Sequence, residues 1–162
     1  MSWKKRASLG ASSALSAVNI AARVDDMAAA MERKVDLATL KPQTLVVYRT
    51  GRAIRGTEIV RALDLRNAVA RSVAAFFTRY DLLLTPTLPD LAPAYAVGAE
   101  TMDGQQWTER VMGSSPFTPV FNASGSPAMS VPLFQDAASG LPVGMQFVAP
   151  GGREDALFRI AG

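Results

Sequence analysis

The sequence predicts an α/β fold, and three observations carry that expectation. An amphipathic helical pattern over residues 57–79 runs straight into a short apolar stretch, Leu82-Leu83-Leu84, which Pro86 and Pro89 follow. Two more apolar segments, 128–134 and 143–149, flank the turn-like sequence QDAASG and predict a hairpin. A last pattern, GGREDALFRIAG, starts another helix with acidic residues in its first turn, where they complement the helix dipole. Helix, strand and constrained loop in alternation are the grammar of an α/β body.

In chain order, residues 12–79 read as mainly helical, 80–150 as strands and loops, and 153–161 as the start of a terminal helix. The first helix is expected over 12–33, capped by Ser12 or Ser13 and rich in Ala, Leu and Met. Its apolar groups occupy two sides, Leu15, Val18 and Ala22 on one and Ile20, Met27 and Met31 on another, so it calls for contacts on both. Residues 34–54 suggest short helical turns interrupted at Pro42. In the helix over 57–79, Ile59, Leu63, Val69, Val73, Phe76, Phe77 and Tyr80 share one broad arc. Arg66 falls inside that arc, either snorkelling at a helix-helix seam or salt-bridged to a missing neighbouring segment. Residues 90–115 lack a sustained period and read as an irregular excursion anchored by Trp107 and Met112. Pro132 predicts an edge or a bulge in the strand over 128–134. In the next strand Val143, Met145 and Phe147 share a face, while Gly144 on the other permits close backbone packing. A mixed sheet of about three strands leaves a long apolar edge, which points to a part of a larger α/β body or to a dimer.

Composition narrows the chemistry. The 162 residues are 49% hydrophobic, enough for a core, and 17 Lys+Arg against 14 Asp+Glu leave a net charge of only +3, spread too evenly for a nucleic-acid surface. There is no cysteine and no histidine, which removes disulfides, thiolate nucleophiles and the commonest neutral-pH base and metal ligand. The opening MSWKKRASLGASSALSAV superficially resembles a secretory n-region, but serines interrupt its weak apolar part, so it reads as the approach to a helix. No apolar run is long enough for a membrane span, and the expected location is cytoplasmic.

Three serines, Ser124, Ser126 and Ser130, lie near glycines and prolines. A hydroxyl nucleophile without histidine needs an activator such as a desolvated lysine, and Lys4, Lys5, Lys34 and Lys41 stand in polar or amphipathic context without an evident spacing to these serines. Ser130 reads as a core-edge or backbone-bonding serine, and Ser124 with Gly125 as a turn with local bonding. Asp25, Asp26, Glu32 and Asp36 match no calcium loop, so neither a metal nor a cofactor is expected. The sequence GRAIRG lacks the lysine-hydroxyl ending of a phosphate loop, and Asn122-Ala123-Ser124 matches a glycosylation acceptor too short to carry weight.

Three blocks in order resemble the amidase signature family of serine amidohydrolases, which includes aryl-acylamide and nylon-oligomer hydrolases. These are FFTRYDLLLTPTLPD at 76–90, PFTPVFNASGSPAMSVPL at 116–133 and GLPVGMQFVAPGGREDALFRIAG at 140–162. The resemblance implies the C-terminal part of a layered α/β/α amidase fold with a mixed central sheet, and a single partial amidase domain over 1–162. It also implies carboxamide hydrolysis by a Ser-cis-Ser-Lys arrangement, whose serines belong to a Gly-Gly-Ser-Ser-Gly-Gly-Ser-like stretch and whose lysine lies earlier. Neither stretch occurs in this chain, so no catalytic residue is assigned and the chain is expected to be inactive alone.

Phe117, Thr118, Asn122, Ser124 and Gly125 are expected to border the substrate cavity, with Ser124 standing where the family has Thr. Residues 82–85 and 143–148 resemble central strands. The expected partner is a missing N-terminal amidase portion or an identical chain, with a small amide as the parent enzyme's substrate. The alternative is a noncatalytic interaction or dimerisation domain derived from the same fold.

Overall fold

The computed structural model describes residues 3–93 and 102–162, with 3–11 as backbone. The side chains of Lys4 and Lys5, and the 94–101 part of the predicted excursion, lie outside the described residues. The chain divides into two compact units, residues 1–65 with 95–113 and residues 66–94 with 114–162.

In the first unit, helix α1 (Trp3–Ala30) starts well before the expected caps, so Ser12 and Ser13 lie inside it. The preceding residues include Ala, Lys, Arg and Leu, all good helix formers, and nothing compels the helix to begin at a serine. It ends in a Schellman motif: the Glu32 N–H donates to the Ala29 carbonyl at 3.3 Å and the Arg33 N–H to the Ala28 carbonyl at 2.9 Å. Glu32 takes the left-handed position usually given to glycine, with φ 51°. Pro42 opens α2 (Pro42–Ala53) instead of interrupting a helix, because the first helical position needs no N–H and already wants the proline φ.

Helices α1 and α2 approach closely over small residues. A Cβ on Gly51 would collide with the Ala17 carbonyl and come within 2.9 Å of the Ala21 methyl. Ala17 and Ala21 are accordingly buried, whereas Met27 and Met31 are 61% and 54% exposed, so the face that packs is the one carrying alanines. At the rim, Asp25 accepts from the Tyr48 hydroxyl at 2.8 Å and from the Arg52 guanidinium at 3.0 Å.

The supposed excursion contains a third helix of this unit, α4 (Gly104–Gly113). Asp103 caps it by accepting the Gln106 N–H at 2.8 Å, and Gly104 packs so tightly that a Cβ there would sit 2.5 Å from the Pro42 carbonyl oxygen. Trp107 is half-buried as an anchor should be, but Met112 is exposed.

Helix α3 (Gly56–Phe76) begins in the first unit and ends in the second. Half of a capping box starts it: the Glu58 carboxylate accepts the Arg55 N–H at 2.9 Å and also its guanidinium at 3.2 Å. Arg66 is exposed to solvent, so its place in the apolar arc involves no buried charge. At the end of the helix, Phe76 stacks on Tyr80 with ring centroids 4.6 Å apart.

The second unit is built on three strands, β1 (Leu83–Pro86), β2 (Ala128–Gln135) and β3 (Pro142–Val148), in the order β1-β3-β2. The α/β class is therefore observed, with a small sheet accompanied by helices. Both pairings are antiparallel, so any parallel component of a mixed sheet does not come from pairing among these three strands. Strand β3 is central as expected; β1 is an edge here, which is why Pro86 can end the strand itself. Leu82 lies just outside it. The register of β2 slips between Pro132 and Phe134, the irregularity that Pro132 predicted.

The expected hairpin joins β2 to β3. Asp136 organises its turn, accepting the Ser139 N–H at 2.8 Å and hydroxyl at 2.7 Å, while Gly140 supplies φ 70°. Between β1 and β2 lies the short helix α5 (Pro119–Ser124), where a loop was expected; Pro119 favours the helical start and Gly125, at φ 73°, closes it. Helix α6 (Glu154–Ala161) follows β3, packs on β2 and buries Leu157.

Two outcomes test this packing. Gly51→Ala should destabilise the chain by about 1–3 kcal/mol in denaturant unfolding, because the added methyl meets backbone that cannot rotate away. Gly56→Ala, whose Cβ meets nothing within 4 Å, should be neutral or slightly stabilising.

A separate outcome concerns acid. Backbone N–H donation from Arg55 holds the Glu58 carboxyl below its ordinary 4.5, and the Ser139 hydroxyl and N–H hold Asp136 below 3.8. Folded values lower than unfolded ones mean that this stability is fully present above the ordinary values and is lost as pH falls through the depressed ones. The thermal midpoint should drop on acidification below about pH 4.5, and Asp136→Asn should flatten part of that slope.

Candidate functional site

Strand alternation places Gly144, Gln146 and Val148 on one face of β3. Cross-strand partners share that face, so Thr85 and Ser130 both stand beside Gln146. Gln146 is 4% exposed, and its amide donates to the Thr85 hydroxyl at 3.1 Å, which satisfies a polar side chain otherwise costly to bury. Just beyond β1, the Thr87 N–H donates to the Gly144 carbonyl at 2.9 Å and turns the threonine side chain over the central strand.

The Thr87 and Ser130 hydroxyls then meet, 2.6 Å apart. They meet because the position between them carries no side chain: a Cβ on Gly144 would lie 2.9 Å from Ser130 Oγ and 3.1 Å from Thr87 Oγ1. Gly144 was expected to permit close backbone packing; what approaches it instead is a pair of side-chain hydroxyls. Ser130 is exposed and bonds to Thr87, which corrects the expectation of a core-edge or backbone-bonding serine. This pair borders a cleft of about 430 Å³ formed by residues 86–92, Ser130 and the beginning of β3.

The five residues expected at a substrate cavity lie together on α5 and its flanks. Phe117, Thr118 and Ser124 are half-buried, while Asn122 and Gly125 are exposed. None of the five lines the 430 Å³ cleft. Ser124 bonds locally, as the sequence suggested: its Oγ lies 2.9 Å from Ser126 Oγ and accepts the Ser126 N–H at 3.3 Å. Among the described residues, the hydrogen-bond partners of Ser124, Ser126 and Ser130 are therefore other hydroxyls and backbone groups. Lys34 and Lys41 are exposed. Among the described residues no group of three or more acidic side chains is arranged to hold a metal ion.

Comparison with known proteins agrees with the three sequence blocks. A family model described as Amidase matches residues 4–158. The chain belongs to the amidase family. A putative amidase AmiC of Mycobacterium leprae is 47% identical over 101 residues, covering 62% of this chain and 21% of the relative. Its counterpart in Mycobacterium tuberculosis is 41% identical over 130 residues, covering 80% of this chain and 27% of the relative. The amidase chain thus spans between a fifth and a third of the length of these proteins. Among solved structures, 6-aminohexanoate cyclic dimer hydrolase complexed with substrate superposes with a TM-score of 0.77 at 26% identity, over 92% of this chain and 32% of that one. A bacterial aryl acylamidase shares the fold with a TM-score of 0.63 at 23% identity, over 93% and 31%.

Thr87 is the site residue that sequence reasoning did not single out. Two threonines at alternate positions, Thr85 and Thr87, were the available signal, since such spacing puts both on one sheet face. The hydroxyl pair is testable by a double-mutant cycle. Gly144→Ala should cost about 1–3 kcal/mol in unfolding, and Ser130→Ala in the same chain should recover part of that loss by removing the nearest obstruction.

Proposed function

We propose that this chain is the C-terminal portion of an amidase that hydrolyses carboxamide bonds through a Ser-cis-Ser-Lys acyl-enzyme mechanism, and that it is inactive alone. The family match across residues 4–158 carries the reading, because it covers nearly the whole chain while no Gly-Gly-Ser-Ser-Gly-Gly-Ser-like stretch occurs in the sequence. The nucleophilic and bridging serines and the lysine then belong to the remainder of the parent protein. There the nucleophilic hydroxyl adds to the amide carbonyl, and its proton passes through the bridging serine to the lysine. Cleavage of the C–N bond releases the amine, with a proton returned to its nitrogen, and water hydrolyses the ester to the carboxylate and the free serine.

This chain supplies supporting structure in that scheme. Phe117, Thr118, Asn122, Ser124 and Gly125 border the substrate cavity, and no cofactor is used. In this reading the parent protein works in the cytoplasm. No helix among the described residues is long and apolar enough to cross a membrane. The natural partner is the N-terminal amidase portion.

A second reading, a noncatalytic interaction domain that pairs with an identical chain, draws on exposed apolar side chains in the second unit. Phe134 is 59% exposed and Phe158 71%. Either partner would remove such surface from water. Light scattering across a concentration series separates the two: a monomer favours the amidase portion, and a stable dimer the identical chain.

The activity test is ammonia or amine release from a panel of small amides by the purified chain, its intact mass confirmed. No release above the uncatalysed rate is expected. Release that follows the chain through purification, at a rate comparable with a full-length amidase, overturns the assignment of the nucleophile elsewhere.

A further inference from the structure

We propose that Met27 and Met31, paired near the C-terminal end of α1, form a reversible sulfoxidation site that switches the groove they line from apolar to polar. Among the described methionines they are the most open to solvent, 61% and 54% exposed, with Met112 at 47% and Met102, Met129 and Met145 half-buried. Four residues apart on a helix, they are neighbours on one face. With Val24, Ala28 and Leu40 they line a groove of about 210 Å³ between the last turns of α1 and residues 33–40. A thioether packs there as an apolar group and offers only a weak acceptor.

The oxidant is hydrogen peroxide. A sulfur lone pair attacks one peroxide oxygen, the O–O bond breaks, and the departing hydroxide takes the proton left on the transferred oxygen. Thioether and peroxide thus become sulfoxide and water, the sulfur oxidised and the peroxide reduced by two electrons. Each event puts a strongly polar S=O oxygen in the groove. Arg33 and Lys34 share the lining, carry only donors on their side chains and take part in no ion pair among the described residues. The oxidised groove therefore holds new acceptors beside uncommitted cations. Residues 34–40 register the change because their own bonds order them: the Thr39 hydroxyl donates to the Lys34 carbonyl at 2.7 Å, and the Asp36 carboxylate accepts the Ala38 N–H at 2.9 Å. The exposure that admits peroxide also admits a methionine sulfoxide reductase, which makes the site reversible. Met129 and Met145, half-buried on the paired strands β2 and β3, present their sulfur less openly to either reagent.

This inference concerns neither substrate nor catalysis, so it can fail while the amidase reading stands. In the test, the folded full chain is treated with hydrogen peroxide and the sulfoxide at each methionine is followed by peptide mass spectrometry. Met27 and Met31 should oxidise at least about fivefold faster than Met129 and Met145, a difference that should vanish in denaturant. In the spectrum of the ¹⁵N-labelled chain the backbone signals of residues 33–40 should move as the two sulfoxides form, while those of β3 stay in place. Methionine sulfoxide reductases for both sulfoxide epimers, with a thiol reductant, should restore the original signals. Met27→Leu with Met31→Leu keeps the lining apolar without sulfur, and its signals over 33–40 should not respond to peroxide. Oxidation of Met102, Met112, Met129 or Met145 ahead of the pair, signals over 33–40 that ignore sulfoxidation, an equal response in the double variant, or sulfoxides that the reductases cannot remove from the folded chain would overturn the proposal.

Discussion

Strand β3 is paired along both edges, and the second unit depends on that constraint. A strand held on two sides cannot slip by one residue without reversing every side chain on it. Slipping would turn Gln146 and Val148 out of their buried positions and put Met145 where Gly144 lets two hydroxyls meet. Register here therefore sets both burial and the geometry of the cleft. The Thr87 N–H bond to Gly144 and the Ala149 N–H bond to Pro127 extend the pairing past each strand's end, so the segments that leave the sheet start from fixed positions.

The first unit solves a different problem, the approach of two helices without large side chains between them. Gly51 faces Ala17 and Ala21, and the absence of a side chain lets backbone meet backbone. Such contact gains dispersion energy along many atoms but tolerates no added methyl. Asp25, Tyr48 and Arg52 then fix the rotation of one helix on the other from a partly solvated rim, where an ion pair alone contributes little and the hydrogen-bond geometry supplies direction.

These two situations explain what was legible in the sequence. Signals that act along the chain were readable: the alternation of Val143, Met145 and Phe147, the irregularity at Pro132, the turn residues 135–140 and the acidic start of α6. Signals that depend on distant partners were not. Pro42 reads as an interruption until it is seen to open a helix, and α4 was hidden because its ten residues contain two glycines, one of which makes the close contact with α2. Its cap was nevertheless present as Asp103 followed three residues later by Gln106. Of the candidate site, Ser130 and Gly144 stood out individually, but their meeting with Thr87 depends on strand order β1-β3-β2, which no local pattern encodes.

The surroundings of the chain's serines set what their hydroxyls can do. A serine becomes a nucleophile when a base removes its proton, and among the described residues the hydrogen-bond partners of Ser124, Ser126 and Ser130 are hydroxyls and backbone groups, whose basicity is too low for that task. The same groups are well suited to positioning a neutral polar ligand, since they exchange hydrogen bonds without paying to desolvate a charge.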